Sequence, residues 1–124
     1  MNKNVVLITG GTGASLRQFI YSIDMAQLIV SILYNNNINK ESIILSVPES
    51  DEVSIKDVAT IIAKKLDYEH NMVFDHSFAD GQYKKTADNK KLMNIFPNFN
   101  FTPIQRGISN TVDWFIENNS IARV

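Results

Sequence analysis

The stretch Gly11-Thr12-Gly13-Ala14-Ser15-Leu16-Arg17-Gln18-Phe19-Ile20-Tyr21-Ser22-Ile23-Asp24-Met25-Ala26 decides how this chain folds. In front of it stands Asn4-Val5-Val6-Leu7-Ile8-Thr9-Gly10, a run of β-branched residues ending at paired glycines. Such a run, closed by a glycine turn, is expected to form a buried strand over residues 5–9. Residues 17–21 are a second extended candidate. Ser22 or Asp24 can then cap a helix that reaches Tyr34. Its apolar positions Ile23, Ala26, Leu28, Ile29, Ile32 and Leu33 cover much of its surface, so it is expected to be well buried. Asn35-Asn36-Asn37 stops it.

Outward from that stretch, strand and helix signals alternate. Residues 42–47, rich in isoleucine, read as a strand, and residues 48–53 as a polar loop. Ser54-Ile55-Lys56-Asp57 resembles a capping box, and Ile55, Val58, Ala59, Ile62 and Leu66 follow at helical spacing. Residues 72–75 read as a short strand, 77–87 as a polar loop and 89–96 as a short helix. Thr102-Pro103-Ile104-Gln105 marks a helix start: Thr102 caps, Pro103 suits the first turn and Gln105 can reach back. Ile104, Ile108, Val112 and Phe115 then share one face. Trp114, beside Phe115, reads as packing. The alternation argues an α/β fold with one small sheet of three or four strands and flanking helices.

Composition narrows the function. At 124 residues the chain is long enough for one domain. A formal net charge of -1 gives no field that would favour nucleic acid or an anionic membrane. The aromatics do not interleave with a basic stripe, so no nucleic-acid partner is expected. The chain has no cysteine, which excludes thiolate zinc sites, cysteine catalysis and disulfides, and fits a reducing cytoplasm. No apolar run approaches the roughly 20 residues of a membrane span, and no leader is read at the N-terminus. His70 and His76 read as loop residues; a metal site needs three or four ligands, and none is expected.

Three segments carry a family resemblance. The first is residues 16–26. The second runs from Ile43-Ile44-Leu45-Ser46-Val47 through Asp51-Glu52-Val53-Ser54-Ile55-Lys56. The third runs from Phe74-Asp75 through Asp80-Gly81-Gln82-Tyr83-Lys84-Lys85-Thr86 and closes on Phe101-Thr102-Pro103 and Trp114-Phe115. In this order they resemble the C-terminal, substrate-binding part of the GDP-L-fucose synthase family, within the extended short-chain dehydrogenases. The resemblance implies an NADP-dependent 3,5-epimerase and 4-reductase acting on GDP-4-keto-6-deoxy-mannose. It implies that Arg17 contacts the nucleotide diphosphate and that Asp80 and Lys85 contact substrate. A guanidinium fork suits phosphate oxygens, an ammonium adds positive charge beside a pyrophosphate, and a carboxylate accepts hydrogen bonds from sugar hydroxyls. Read without the family, Arg17 is a surface residue or a partner for Asp24. Lys84, Lys85, Lys90 and Lys91 are then a solvated face, and Asp80-Gly81 a common turn pair.

Thr9-Gly10-Gly11-Thr12-Gly13 resembles the glycine turn that receives the NADP pyrophosphate in such dehydrogenases, which makes Gly10 and Gly13 weak cofactor-binding candidates. The third glycine of that fingerprint would fall on Leu16. Gly11-Thr12-Gly13 matches equally the Gly-Thr-Gly that precedes the arginine in the substrate domain, where the family carries tryptophan at the position of Gly10. Residues 1–13 are therefore expected to be a vestigial dinucleotide-binding strand and turn, and residues 14–124 a nucleotide-sugar domain, joined as if by an internal deletion. NADP binding by this chain alone is not expected.

The reductase chemistry of the family uses a tyrosine with a lysine four residues later. Four residues after Tyr21, Tyr34, Tyr68 and Tyr83 stand Met25, Ile38, Met72 and Ala87. No catalytic residue is assigned. The expectation is a non-catalytic domain that binds a GDP-linked deoxyhexose. The alternatives are an interaction protein that pairs with a full-length homologue, or with itself, and an inactive remnant.

Overall fold

The structure is a computed structural model that describes residues 6–8, 12–35, 42–77, 79 and 81–122. Among the described residues, four short strands and four helices follow one another: β1 (Val6–Ile8), β2 (Leu16–Arg17), α1 (Ser22–Leu33), β3 (Val53–Ser54), α2 (Ile55–Lys65), β4 (Met72–Phe74), α3 (Lys90–Ile95) and α4 (Ile104–Asn118). Single 3-10 turns lie at Glu49–Asp51 and Glu69–Asn71. The α/β class expected from the alternation holds. The strands pair as two ladders among the described residues, where one small sheet was expected. β1 runs parallel to β4, with Val6, Leu7 and Ile8 opposite Met72, Val73 and Phe74. β2 runs antiparallel to β3, with Leu16 opposite Ser54 and Arg17 opposite Val53.

The second ladder joins the polar loop at residues 83 and 84 to the start of α2. Leu16 forms a parallel bridge with Lys84, and its N–H donates to the Tyr83 carbonyl at 2.7 Å. On the other side, Ile55 N–H donates to the Ser15 carbonyl and Lys56 N–H to the Gly13 carbonyl, at 3.2 and 2.9 Å. Gly13 takes φ +72°, a left-handed conformation that costs glycine nothing. A Cβ there would lie 3.0 Å from the Phe74 ring and 3.1 Å from Lys56 Cβ. The position therefore demands glycine on two independent grounds.

The core is small. Leu28 of α1 and Leu92 of α3 are fully buried, joined by Val47, Ala63 of α2 and Val112 of α4. α2 packs against α4, and a Lys65–Asp113 ion pair of 2.8 Å ties their surfaces. Gly107 lets α4 approach the segment before α1, because a Cβ there would meet Tyr21 at 3.3 Å.

Several local expectations are corrected. Residues 42–48 form no strand. Two of their carbonyls are engaged by side-chain amides instead: Asn89 Nδ2 donates to the Ser46 carbonyl and Gln18 Nε2 to the Val47 carbonyl, at 2.9 and 2.7 Å. Neither Ser22 nor Asp24 caps α1; Tyr21 occupies that position with no side-chain cap. Asp24 is buried and turned inward, where its carboxylate accepts the Thr102 N–H at 2.7 Å and the Thr102 hydroxyl at 2.8 Å. Thr102 is thereby spent on Asp24, and Pro103 holds the cap position of α4 with no side-chain hydrogen bond. α1 is also far less covered than its apolar sequence implies: Ile23, Ile29, Val30 and Leu33 are all exposed. Trp114 and Phe115 are likewise exposed rather than packed.

Candidate functional site

Arg17 and the segment that contains Lys85 lie side by side. The cause is local: β2 is fixed between β3 and Lys84, so the Arg17 side chain leaves the ladder at the edge of residues 82–84. Its Nη1 donates to the Gln82 carbonyl at 3.0 Å and to the Leu16 carbonyl at 2.6 Å. These two bonds orient the guanidinium. Asp24, the alternative partner, is committed to Thr102.

The adjacent residue completes the clasp. Gln18 Oε1 accepts the Ala87 N–H at 2.6 Å, and its Nε2 donates to the Ala87 carbonyl at 3.1 Å as well as to Val47. Arg17 thus grips one end of the 82–87 segment and Gln18 the other. A glutamine amide can hold a backbone N–H and carbonyl together as a strand would. Nothing in its spacing marked it beforehand.

Between those grips lies a charged cluster. Lys84 Nζ pairs with Glu49, and lies 3.3 Å from Glu52 Oε2. The Thr86 hydroxyl donates to Glu52 Oε1. The hydrogen bond to Glu49 holds the Lys84 ammonium above its ordinary pKa, with Glu52 adding to the effect. Lys84 is therefore neutralised by its own acids. Lys85 is exposed, and its side chain has no ion pair or hydrogen bond among the described residues. Of the adjacent lysines, one is consumed internally and the other is presented outward. Asp80 and Gly10 lie outside the described residues. Gly13 is packed between the start of α2 and β4.

Two clefts lie beside Phe19, which lines both. One, of about 290 Å³, runs between α2 and α4 and is apolar, with Phe19, Tyr21, Ile62, Ile104 and Ile108 in its wall. The second, of about 300 Å³, lies beside the 3-10 turn at residues 49–51 and is lined by Phe19, Val47, Glu52, Phe101 and Pro103 among others. Neither is lined by Arg17 or Lys85. No group of three or more His, Cys, Asp or Glu residues among the described residues is placed to hold a metal ion. No described helix is long and apolar enough to cross a membrane.

No protein-family model matches the chain. Individual proteins do. A GDP-L-fucose synthase of Dictyostelium discoideum is 49% identical over 99% of this chain, which spans 38% of that relative's length. The crystal structure of a GDP-L-fucose synthetase from Naegleria fowleri bound to NADP superposes with a TM-score of 0.88 at 44% identity, over 95% of this chain and 36% of that one. A dTDP-glucose 4,6-dehydratase from Bacillus anthracis, 17% identical, shares the fold at a TM-score of 0.75 over 94% of this chain and 36% of that one. In sequence and in fold, this chain is similar to about a third of a GDP-L-fucose synthase, and it shares its fold with the matching part of a dTDP-glucose 4,6-dehydratase.

Proposed function

We propose that the chain provides the nucleotide-sugar side of a GDP-L-fucose synthase-type enzyme, binding a GDP-linked deoxyhexose through Arg17, Asp80 and Lys85 without carrying catalysis alone. The observation that supports this best is the Arg17 Nη1–Gln82 bond, which sets a fixed guanidinium against the segment that presents Lys85. A diphosphate in that place would meet one planar fork and one exposed ammonium. Both cations are needed, since Glu49 and Glu52 leave the Lys84 cluster with no positive charge to spare.

No tyrosine has the lysine partner that reduction requires, which supports the non-catalytic part of the reading. NADP is assigned no site here. The close packing of Phe74 and Lys56 against the α-carbon of Gly13 supports leaving the cofactor out of this reading. Calorimetric titration with GDP-fucose tests the reading. Binding in the micromolar range is expected, weakened at least about tenfold by Arg17→Ala or Lys85→Ala. A folded protein that does not bind GDP-fucose contradicts it.

A second reading, an interaction protein, is favoured by one feature. Ile23, Val30, Leu33 and Tyr34 follow one another along α1 at 50, 52, 75 and 84% exposure. These spacings put them on one stripe, and a contiguous apolar stripe of this kind marks a contact surface. A second copy of this chain or a full-length homologue would cover it.

A further inference from the structure

We infer that Glu52 is a positioning residue for Lys85: one buried carboxylate holds both residues that flank Lys85 and so fixes where that ammonium is presented. The inference rests on the reading of Arg17 and Lys85 as an anion site. Its basis is a juxtaposition that the sequence does not announce. The Glu52 side chain is 4% exposed, although it lies in a run of polar residues directly after the 3-10 turn. Burial of a carboxylate is costly unless it is paired and hydrogen-bonded. Glu52 meets both conditions, and both of its partners belong to the same three-residue segment. Oε2 faces the Lys84 ammonium at 3.3 Å, and Oε1 accepts the Thr86 hydroxyl.

The consequence for Lys85 is geometric. In extended backbone, side chains alternate from one side of the chain to the other. When residues 84 and 86 both reach one carboxylate, residue 85 is directed away from it. Lys85 is exposed, and unlike Lys84 and Thr86 its side chain meets neither Glu49 nor Glu52. The remaining anchors of the segment sit at its ends, where Leu16 N–H meets the Tyr83 carbonyl and Gln18 clasps Ala87. Together with the Leu16–Lys84 bridge they hold the backbone. Glu52 adds the hold on the side chains of residues 84 and 86.

The inference is tested with GDP as the probe, titrated into the chain, Lys85→Ala, Glu52→Ala and the double variant. Glu52→Ala is expected to weaken GDP binding about tenfold, with no further loss when Lys85 is already alanine. An equal loss in both backgrounds would mean that Glu52 acts on the whole fold rather than on Lys85, and would overturn the inference. Absence of GDP binding by the folded parent chain would overturn the anion site instead. Trypsin then decides the role of Glu52, because it cuts after lysine. Glu52→Ala is expected to speed cleavage at Lys84 and Lys85 at least about fivefold, with cleavage at Lys64 and Lys65 unchanged. Unchanged cleavage at residues 84 and 85 would overturn the inference. Should Glu52→Ala not fold, Thr86→Val removes the hydroxyl hydrogen bond alone and is expected to show the same selective pattern, its absence counting against the role.

Discussion

Asp24 shows how one residue can serve the fold at a distance. Its carboxylate accepts two hydrogen bonds from Thr102, 78 positions away, and joins the start of α1 to the start of α4. Hydrogen bonds to a charged group are worth more than neutral ones, and an abandoned buried donor carries its own penalty. Asp24→Ala is expected to cost about 2–3 kcal/mol in urea unfolding. A loss within 0.5 kcal/mol, the range of ordinary surface substitutions, would show that Thr102 finds another partner. Gly13→Ala is expected to cost more than about 1 kcal/mol by the same measurement, since φ is positive there and Phe74 and Lys56 already occupy the space. At this scale the sequence was partly legible. It was the family resemblance that singled out Arg17 and Lys85, since their residue types alone read as surface; the segment carrying Lys85 lies beside Arg17. What stayed hidden was which of two adjacent lysines is spent. That depends on Glu49 and Glu52, more than thirty positions earlier, which local spacing cannot relate to residue 84.

Among the elements, α2 was the most legible, because its signal is self-contained. Ser54 Oγ accepts Asp57 N–H at 3.0 Å and Asp57 Oδ2 accepts Ser54 N–H at 3.1 Å, the reciprocal box that the four-residue motif encodes. Ser54→Ala is expected to cost about 1 kcal/mol. The pH dependence has a definite sign. Hydrogen bonds from Ser54 hold the Asp57 carboxyl below its ordinary pKa. Its contribution is therefore complete above the ordinary carboxylate range and is lost as pH falls through the lowered folded-state value. The difference between the parent chain and Ser54→Ala, read by urea unfolding across pH, should be constant near neutrality and shrink below about pH 4. A gap that widens in acid would contradict the box. The isoleucine-rich run at 42–47 misled for the opposite reason. Apolar content suggested a ladder, but the Ser46 and Val47 carbonyls are satisfied by the Asn89 and Gln18 amides, a long-range choice. The Thr102 cap failed likewise, because a distant buried carboxylate competes for the hydroxyl.

For the whole molecule, two features bear on function: the Arg17–Gln82 contact beside β2 and the uncovered stripe of α1. The stripe has a consequence that does not need a ligand. Apolar area left in water costs roughly 25 cal/mol per Å², so concentration-dependent association is expected by light scattering. Leu33→Glu with Tyr34→Glu should abolish it while leaving GDP affinity unchanged, since the stripe does not include Arg17 or Lys85. A monomer at every concentration would remove the interaction reading. The α/β class was legible from the alternation of elements, and the relationship to GDP-L-fucose synthases from three separated segments. The pairing of β1 with β4 was not, because three-residue strands carry no signal of their partner. The central claim is that this fold holds a working nucleotide-sugar site. Calorimetric titration of the parent chain and Arg17→Ala with GDP-fucose tests it most directly. Micromolar binding that the variant loses is the expected result; no heat of binding from a folded parent chain, or equal affinity in the variant, would contradict it.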